Sequence, residues 1–198
     1  MKELQLEDGK RALVIVAHPD DETIWMGGAL LRFSKIKWTI LSLCRASDSD
    51  RRPKFFRVCE RYGAKGIIAD LDDEDRLSLE KTLPVIKKII KKEIGRARFD
   101  YLFTHNANGE YGHPRHKGAY LAIKEMIKNG ELSADKVFFF AYEPAGKHKA
   151  RVGKNADSNL KLTSDEFQEK KRIVAEMYGY QYDGIDVGYC LNIESFSL

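Results

Sequence analysis

The residues with the most chemical capacity fall in two short stretches. The first, His18-Pro19-Asp20-Asp21-Glu22, follows an apolar run at 12–17 and packs one imidazole and three carboxylates into five positions. An imidazole and a carboxylate three residues apart can reach one ion across a tight turn, and both suit Zn²⁺. Adjacent carboxylates point in different directions. One can therefore bind an ion while its neighbour stays free as a general base on the ion's water. Two neighbouring acids in different environments can hold different roles. An Asp N-cap with acids in a first helical turn would explain each residue singly. Four ionisable groups together at the end of an apolar strand are instead expected to face a cleft or solvent.

The second stretch follows another apolar run, at 101–104. It holds His105, then Gly109, Glu110, Tyr111 and Gly112, then His113-Pro114-Arg115-His116. The glycines permit tight backbone geometry, and Pro114 suits the first turn of a helix. His113 and His116, three apart, share one side of that turn. One can then ligate a metal while the other approaches a substrate. Four of the five histidines lie in these two stretches, whereas His148 sits in a polar segment and is expected to be exposed. Two histidines and one carboxylate make a catalytic zinc triad with a position left for water. The pattern implies metal-assisted hydrolysis without naming the bond cleaved.

The elements that must carry these stretches can be read from apolar periodicity. Short apolar runs predict strands at 12–17, 38–44, 66–69, 101–104 and 137–141. Helical patterns fall at 23–34, 53–62, 79–94 and 116–128. A late helix spans 164–178, with Ser164 as its N-cap. The polar segment 145–159 reads as a loop and a candidate lid. Alternating strands and helices predict an α/β fold, a Rossmann-like three-layer sandwich with a largely parallel sheet, as one domain over 1–198. Sites in such sheets form outside the carboxyl ends of the strands. Both histidine-bearing stretches follow directly after predicted strands.

Composition excludes several classes. The net charge of +4 arises from 34 basic and 30 acidic residues, and the densest basic run, 87–92, reads as a solvated helix face. No nucleic-acid partner is expected. No apolar run approaches the roughly 20 residues that span a bilayer, and the N-terminus lacks the pattern of a signal peptide. The expectation is a cytoplasmic protein without an integral membrane segment. Cys44, Cys59 and Cys190 are odd in number and widely spaced, which suits neither a disulfide framework nor a cysteine zinc site.

The motif AHPDDE at 17–22 and the later GHPRH at 112–116 resemble the two metal motifs of the PIG-L/LmbE family of zinc-dependent N-acetylglucosaminyl deacetylases. Weaker similarities lie at 52–64, at 171–181 and at Glu194-Ser-Phe196. The resemblance implies that His18, Asp21 and His116 ligate zinc, with Fe²⁺ or Co²⁺ as alternatives. It implies that Asp20 is the base activating a zinc-bound water. His113 would be an electrostatic stabiliser or acid, Tyr111 would approach the carbonyl oxygen, and Arg52 would bind substrate. The substrate would be a small N-acetylglucosamine-containing conjugate that loses its acetyl group, and a homo-oligomer is compatible. One residue departs from the pattern. Arg115 stands where many relatives have Asp, which removes a negative charge and should lower the pKa of nearby histidines. Glu110 is the candidate to compensate.

Three alternatives follow from the same residues. A phosphoesterase would recruit two metals, whereas ligands for one are present. A nucleotide-binding module would show G-x-G-x-x-G, where this chain has acids that would repel a pyrophosphate. A catalytically altered sugar-binding protein would keep the fold and lose turnover around Arg115.

Overall fold

A computed structural model describes residues 2–74 and 78–198. Five parallel strands form the centre: β2 (Arg11–Val16), β3 (Lys37–Cys44), β4 (Lys65–Leu71), β5 (Arg98–Thr104) and β6 (Ser133–Phe140). Beyond β6, the strands β1 (Lys2–Glu3), β9 (Ser158–Lys161) and β10 (Ile193–Ser197) complete the eight-stranded sheet, ordered β1-β9-β10-β6-β5-β2-β3-β4. The strand β10 runs antiparallel to β6 and β9. The predicted largely parallel α/β sheet is thus present. A separate hairpin pairs β7 (Tyr142–Pro144) with β8 (Ala150–Val152). The segment 145–159 therefore holds β8 and the start of β9 rather than a single loop. His148 is exposed at the hairpin turn.

Period-2 alternation on β2 feeds both faces of the sheet. Ala12, Val14 and Val16 enter one core, with α1 (Asp21–Arg32) and α2 (Arg51–Arg61). Leu13 and Ile15 enter the other, under α3 (Leu79–Ile94) and α4 (Pro114–Lys128). A strand buried on both faces must be apolar along its buried length, as β2 is from Ala12 to Val16. The late helix is α5 (Ser164–Arg172), continued by a π-helical turn at Ile173–Met177. Its N-cap is Thr163 rather than Ser164, because Thr163 forms a capping box with Glu166. A short helix α6 (Ile185–Gly188) precedes β10.

The chain order reverses between β2 and β5. Connections from β2 run toward β3 on one side, and β5 lies on the other. Loops after these two strands diverge and open a crevice at their carboxyl ends. Both histidine-bearing stretches emerge there.

The helix α1 is broken at Met26, whose φ of −147° is not helical. Backbone N–H groups of Gly28 and Ala29 are each bonded at 2.7 Å by the buried Glu194 carboxylate, which also accepts from Lys170 Nζ at 2.7 Å. A residue of the last strand thus caps the second half of the first helix.

Candidate metal centre

The turn after β2 is held in a sparsely populated conformation. Asp20 has φ +125°, and a non-glycine residue there signals imposed strain of the kind that gathers at functional sites. Its carbonyl accepts from the N–H groups of Thr23 and Ile24 and so starts α1. Glu22 braces the turn from below. Its Oε2 accepts from Asp20 N–H at 3.1 Å, and its Oε1 accepts from Thr23 Oγ1 and Tyr178 Oη, each at 2.7 Å. Glu22 is fully buried, so the expectation that all four ionisable groups face a cleft or solvent is corrected for this residue. Three donors replace the water it gives up.

Asp21 is the hub. Its Oδ1 accepts from Trp25 Nε1 at 3.0 Å, one helical turn along. Its Oδ2 lies 3.2 Å from His18 Nδ1 and 3.3 Å from His116 Nε2. Ligand atoms on a tetrahedral zinc ion with bonds near 2.0–2.1 Å stand about 3.3 Å apart, so these separations match two edges of such a site. His116 Nε2 is buried and has no hydrogen-bond partner among the described residues. An orphaned imidazole nitrogen aimed at a carboxylate is what a cation would satisfy. The opposite nitrogen of each ring is anchored by another acid. His116 Nδ1 meets Glu110 Oε2 at 2.6 Å, and His18 Nε2 meets Asp73 Oδ1 at 2.7 Å. Carboxylate-backed imidazoles are the usual arrangement of metal-binding histidines. His18, Asp21 and His116 all belong to groups that could hold a metal ion, and the two separations from Asp21 suit one.

His105 stacks on His116 with ring centroids 3.8 Å apart. Its Nε2 accepts from Ala17 N–H at 2.9 Å, and its Nδ1 meets Glu110 Oε2 at 2.8 Å. That pairing spends the lone pair a metal would need, so His105 orients its neighbours instead. Gly109, at φ +68°, turns the chain so that Glu110 reaches both rings, and a Cβ there would stand 2.8 Å from the His113 carbonyl.

The electrostatics follow from burial and close opposite charges. Burial pushes the Asp21 carboxyl up, but His116, His18 and His105 outweigh it and hold it well below the usual range. Burial disfavours charge on His116, yet Asp21 and Glu110 raise it to about 9. His113 is lowered to about 4, by burial first and then by His116 and His18. Its Nδ1 accepts from Arg115 N–H at 3.2 Å, which leaves the neutral ring's proton on Nε2.

Arg115 is buried, and its side chain donates to the Asp72 carbonyl at 2.6 Å and to Thr82 Oγ1 at 3.1 Å. Glu110 does bond histidines, but these are His105 and His116 rather than His113.

Asp20 lies beside the hub and is gripped separately. Its Oδ2 accepts from Tyr180 Oη and from Arg51 Nη1, the latter at 3.2 Å, and Arg51 also donates to Tyr180 Oη. Burial and the Asp21 charge push its carboxyl up to about 8. No described residue bonds its Oδ1.

These residues open onto a cleft of about 370 Å³. His18, Asp20, Asp21, Tyr111 and His113 line it, and His116 reaches Asp21 from beneath. Arg52 does not line it. It is exposed, with its guanidinium 5.1 Å over the Phe56 ring, and its neighbour Arg51 faces the cleft instead. The buried stripe Phe55, Val58 and Tyr62 continues back to Arg51 at helical spacing, a signal already in the sequence. Asp73, Tyr180, Asp186 and Tyr189 also line the cleft, and of these Tyr180 alone lies in a stretch, 171–181, that the family resemblance marks. Tyr111 stacks on Tyr189 with centroids 5.0 Å apart.

Fold and site define an α/β protein with a candidate metal centre at the switch point of its sheet. The chain belongs to the PIG-L family, whose profile, described as GlcNAc-PI de-N-acetylase, matches residues 13–127. Membership supports a deacetylase or hydrolase-like function. An uncharacterized protein of Acanthamoeba polyphaga mimivirus is 23% identical over 182 residues, spanning 85% of this chain and 75% of that protein. Similar solved structures include a conserved protein from Thermus thermophilus, with TM-score 0.65, 15% identity, and coverage of 95% of this chain and 94% of that one. The pseudoaglycone deacetylase Dbv21 has TM-score 0.62 and 15% identity, covering 90% and 85%. The 4-carboxy-2-hydroxymuconate hydratase GalB from Pseudomonas putida has TM-score 0.60 and 18% identity, covering 91% and 82%. A deacetylase and a hydratase on one fold mean that the fold alone does not choose the chemistry. Among the described residues no helix is long and apolar enough to cross a membrane.

Proposed function

We propose that this chain is a metal-dependent hydrolase that removes an N-acetyl group from an amino sugar within a small conjugate. Family membership supports the reaction class, and the convergence of His18 Nδ1 and His116 Nε2 on Asp21 Oδ2 carries the metal dependence. These three side chains would hold the ion, zinc by the donor set, with Fe²⁺ or Co²⁺ tolerated. When bound, it would supply Lewis acidity to an amide carbonyl and lower the pKa of water.

The chain's own groups do the rest. Arg51 and Tyr180 fix one oxygen of Asp20, which leaves Oδ1 as the oxygen that takes a proton from the attacking water. The neutral His113 presents its Nε2–H to the oxygen that gains charge in the tetrahedral transition state. The Tyr111 hydroxyl, on the same wall, is the second donor to that oxygen. Protonated Asp20 then returns its proton to the departing amine. Its neighbours suit both steps, because burial favours the acid form and the arginine favours the base. His113 acts as a hydrogen-bond donor, since a ring lowered to about 4 carries no charge at neutral pH.

The test is acetate release from a panel of N-acetylglucosamine conjugates, with added zinc and with chelator. Release should require metal, and Asp20→Asn should keep zinc while losing about 10²–10⁴-fold in kcat. Near-wild-type kcat in a zinc-loaded Asp20→Asn chain would remove Asp20 from the base role.

A further inference from the structure

A buried thiol that the reaction above leaves unused lies next to the candidate centre. Three neighbouring parallel strands each deliver one donor there. His18 lies two residues past β2, Cys44 ends β3, and Asp73 lies two residues past β4. The backbone draws these ends together, because Cys44 N–H donates to the Ala17 carbonyl at 2.9 Å and Cys44 pairs with Leu71 across the sheet. Strict alternation would send Leu43 and Cys44 to opposite faces, yet both are buried in the core under α3 and α4. A register shift between Ser42 and Cys44 accounts for this, since such irregularities re-aim a side chain.

A ring nitrogen of His18, Cys44 Sγ and an Asp73 oxygen all lie within 4.8 Å of one another. Nε2 is the nitrogen turned to Asp73, whose Oδ1 it meets at 2.7 Å, whereas Nδ1 is turned to Asp21. Tetrahedral ligand atoms stand about 3.3–3.6 Å apart when sulfur binds near 2.3 Å and nitrogen or oxygen near 2.0–2.1 Å. No pair therefore need close by more than about 1.5 Å. Arg45 holds the other oxygen of Asp73 at 2.6 Å and fixes that carboxylate in place. His18 and Asp73 line the open cleft, which gives an ion access, and the buried Cys44 meets it from the core side. A thiolate with an imidazole and a carboxylate favours a soft or borderline ion over Mg²⁺ or Ca²⁺.

We propose that His18 Nε2, Cys44 Sγ and Asp73 form a second metal site, selective for a thiophilic divalent ion such as Cd²⁺, that competes with the Asp21–His116 pair for the His18 ring. Binding exchanges the thiol proton for the ion: the S–H bond breaks, its electron pair forms the S–Cd bond, and the proton leaves to solvent. A neutral imidazole offers one lone pair, because its other nitrogen carries the proton. An ion on Nε2 therefore leaves the proton on Nδ1, which then faces Asp21 as a hydrogen-bond donor and is closed to a metal. Occupancy of the thiolate site thus withdraws His18 from the candidate centre. That consequence rests on the metal-dependent reading above, whereas the thiolate site itself does not.

The probe is Cd²⁺ added to the metal-free full chain, followed by the ultraviolet thiolate-to-cadmium charge-transfer band and by calorimetry. Wild type should show the band, saturating at one ion per chain. Cys44→Ser should abolish it while melting like wild type, and a chain carrying Cys59→Ala and Cys190→Ala should keep it. His18→Gln and Asp73→Asn should each weaken Cd²⁺ binding by about tenfold or more. His116→Ala, which dismantles only the candidate centre, should leave the band and its affinity intact. The site is overturned if wild type gives no band, if the band survives in Cys44→Ser, or if neither His18→Gln nor Asp73→Asn changes the affinity. Should Cys44→Ser fail to fold, the Asp73→Asn affinity decides. Two equally tight ions on wild type would overturn the sharing of His18. A Cys44-dependent band that persists in His116→Ala keeps the site even where no conjugate releases acetate, so the two readings fail separately.

Discussion

Glu110 is the most informative residue to perturb, because one buried carboxylate serves both rings behind the candidate centre. Its Oε2 meets His105 Nδ1 at 2.8 Å and His116 Nδ1 at 2.6 Å, while its Oε1 accepts from Asn106 N–H at 2.9 Å. Glu110→Gln keeps the volume and removes the charge. If the amide oxygen takes the position facing the histidines, the amide NH₂ confronts Asn106 N–H, donor against donor. If the amide turns over, NH₂ confronts two ring N–H groups. His116 can then relieve the clash only by moving its proton to Nε2, the nitrogen offered to the metal. Either arrangement costs one buried bond, about 1–3 kcal/mol. Loss of a carboxylate behind a ligand histidine lowers metal affinity by roughly 10–100-fold, or about 1.4–2.7 kcal/mol. The assay is zinc competition against a chromophoric chelator at fixed pH, with circular dichroism and thermal unfolding to confirm the fold. A folded Glu110→Gln chain whose zinc affinity stays within about twofold of wild type would refute the idea that this carboxylate tunes the centre.

Two further outcomes follow from the same geometry. His116 is raised to about 9 in the metal-free protein, so an ion must displace its proton at lower pH. Apparent zinc affinity should therefore climb with pH, by up to about tenfold per unit for each proton displaced, and flatten above about pH 9; titrations at three pH values read the slope, and a flat profile would contradict the assignment of His116 as a ligand. In the core, Lys170 and Glu194 are both fully buried and bonded at 2.7 Å. Lys170→Met leaves Glu194 charged against only the two backbone donors of α1 and should cost about 3–5 kcal/mol in urea unfolding, whereas a loss below about 1 kcal/mol would show that the pair adds little to stability.

Much of the fold was legible because it rests on periodicity. All five parallel strands and the four helices among them appear where apolar runs and stripes predict, with ends displaced by a few residues. The strands β1, β7, β8, β9 and β10 were not predicted: they are short or half-polar, and such strands lack a buried face long enough to mark the sequence. The π-helical turn inside the late helix has no local signature either.

Residue types and spacing alone made the chemical capacity of the candidate centre readable. The residue types and spacing in HPDDE and GHPRH, each placed after an apolar strand, are local properties, and a tight turn and a helix start hold them whatever else the chain does. Only the tertiary structure decided which neighbours complete it. Arg51 rather than Arg52 faces the cleft because residues along a helix are 100° apart and the stripe Phe55, Val58 and Tyr62 fixes which side turns inward. Glu110 serves His105 and His116 rather than His113 because Gly109 redirects the loop. Tyr180 reaches Asp20 across 160 residues of chain, and Asp73 reaches His18 across 55. Contacts of that span are set by the packing of α2, α5 and the sheet, so the sequence names the groups that can act while the fold selects which of them meet.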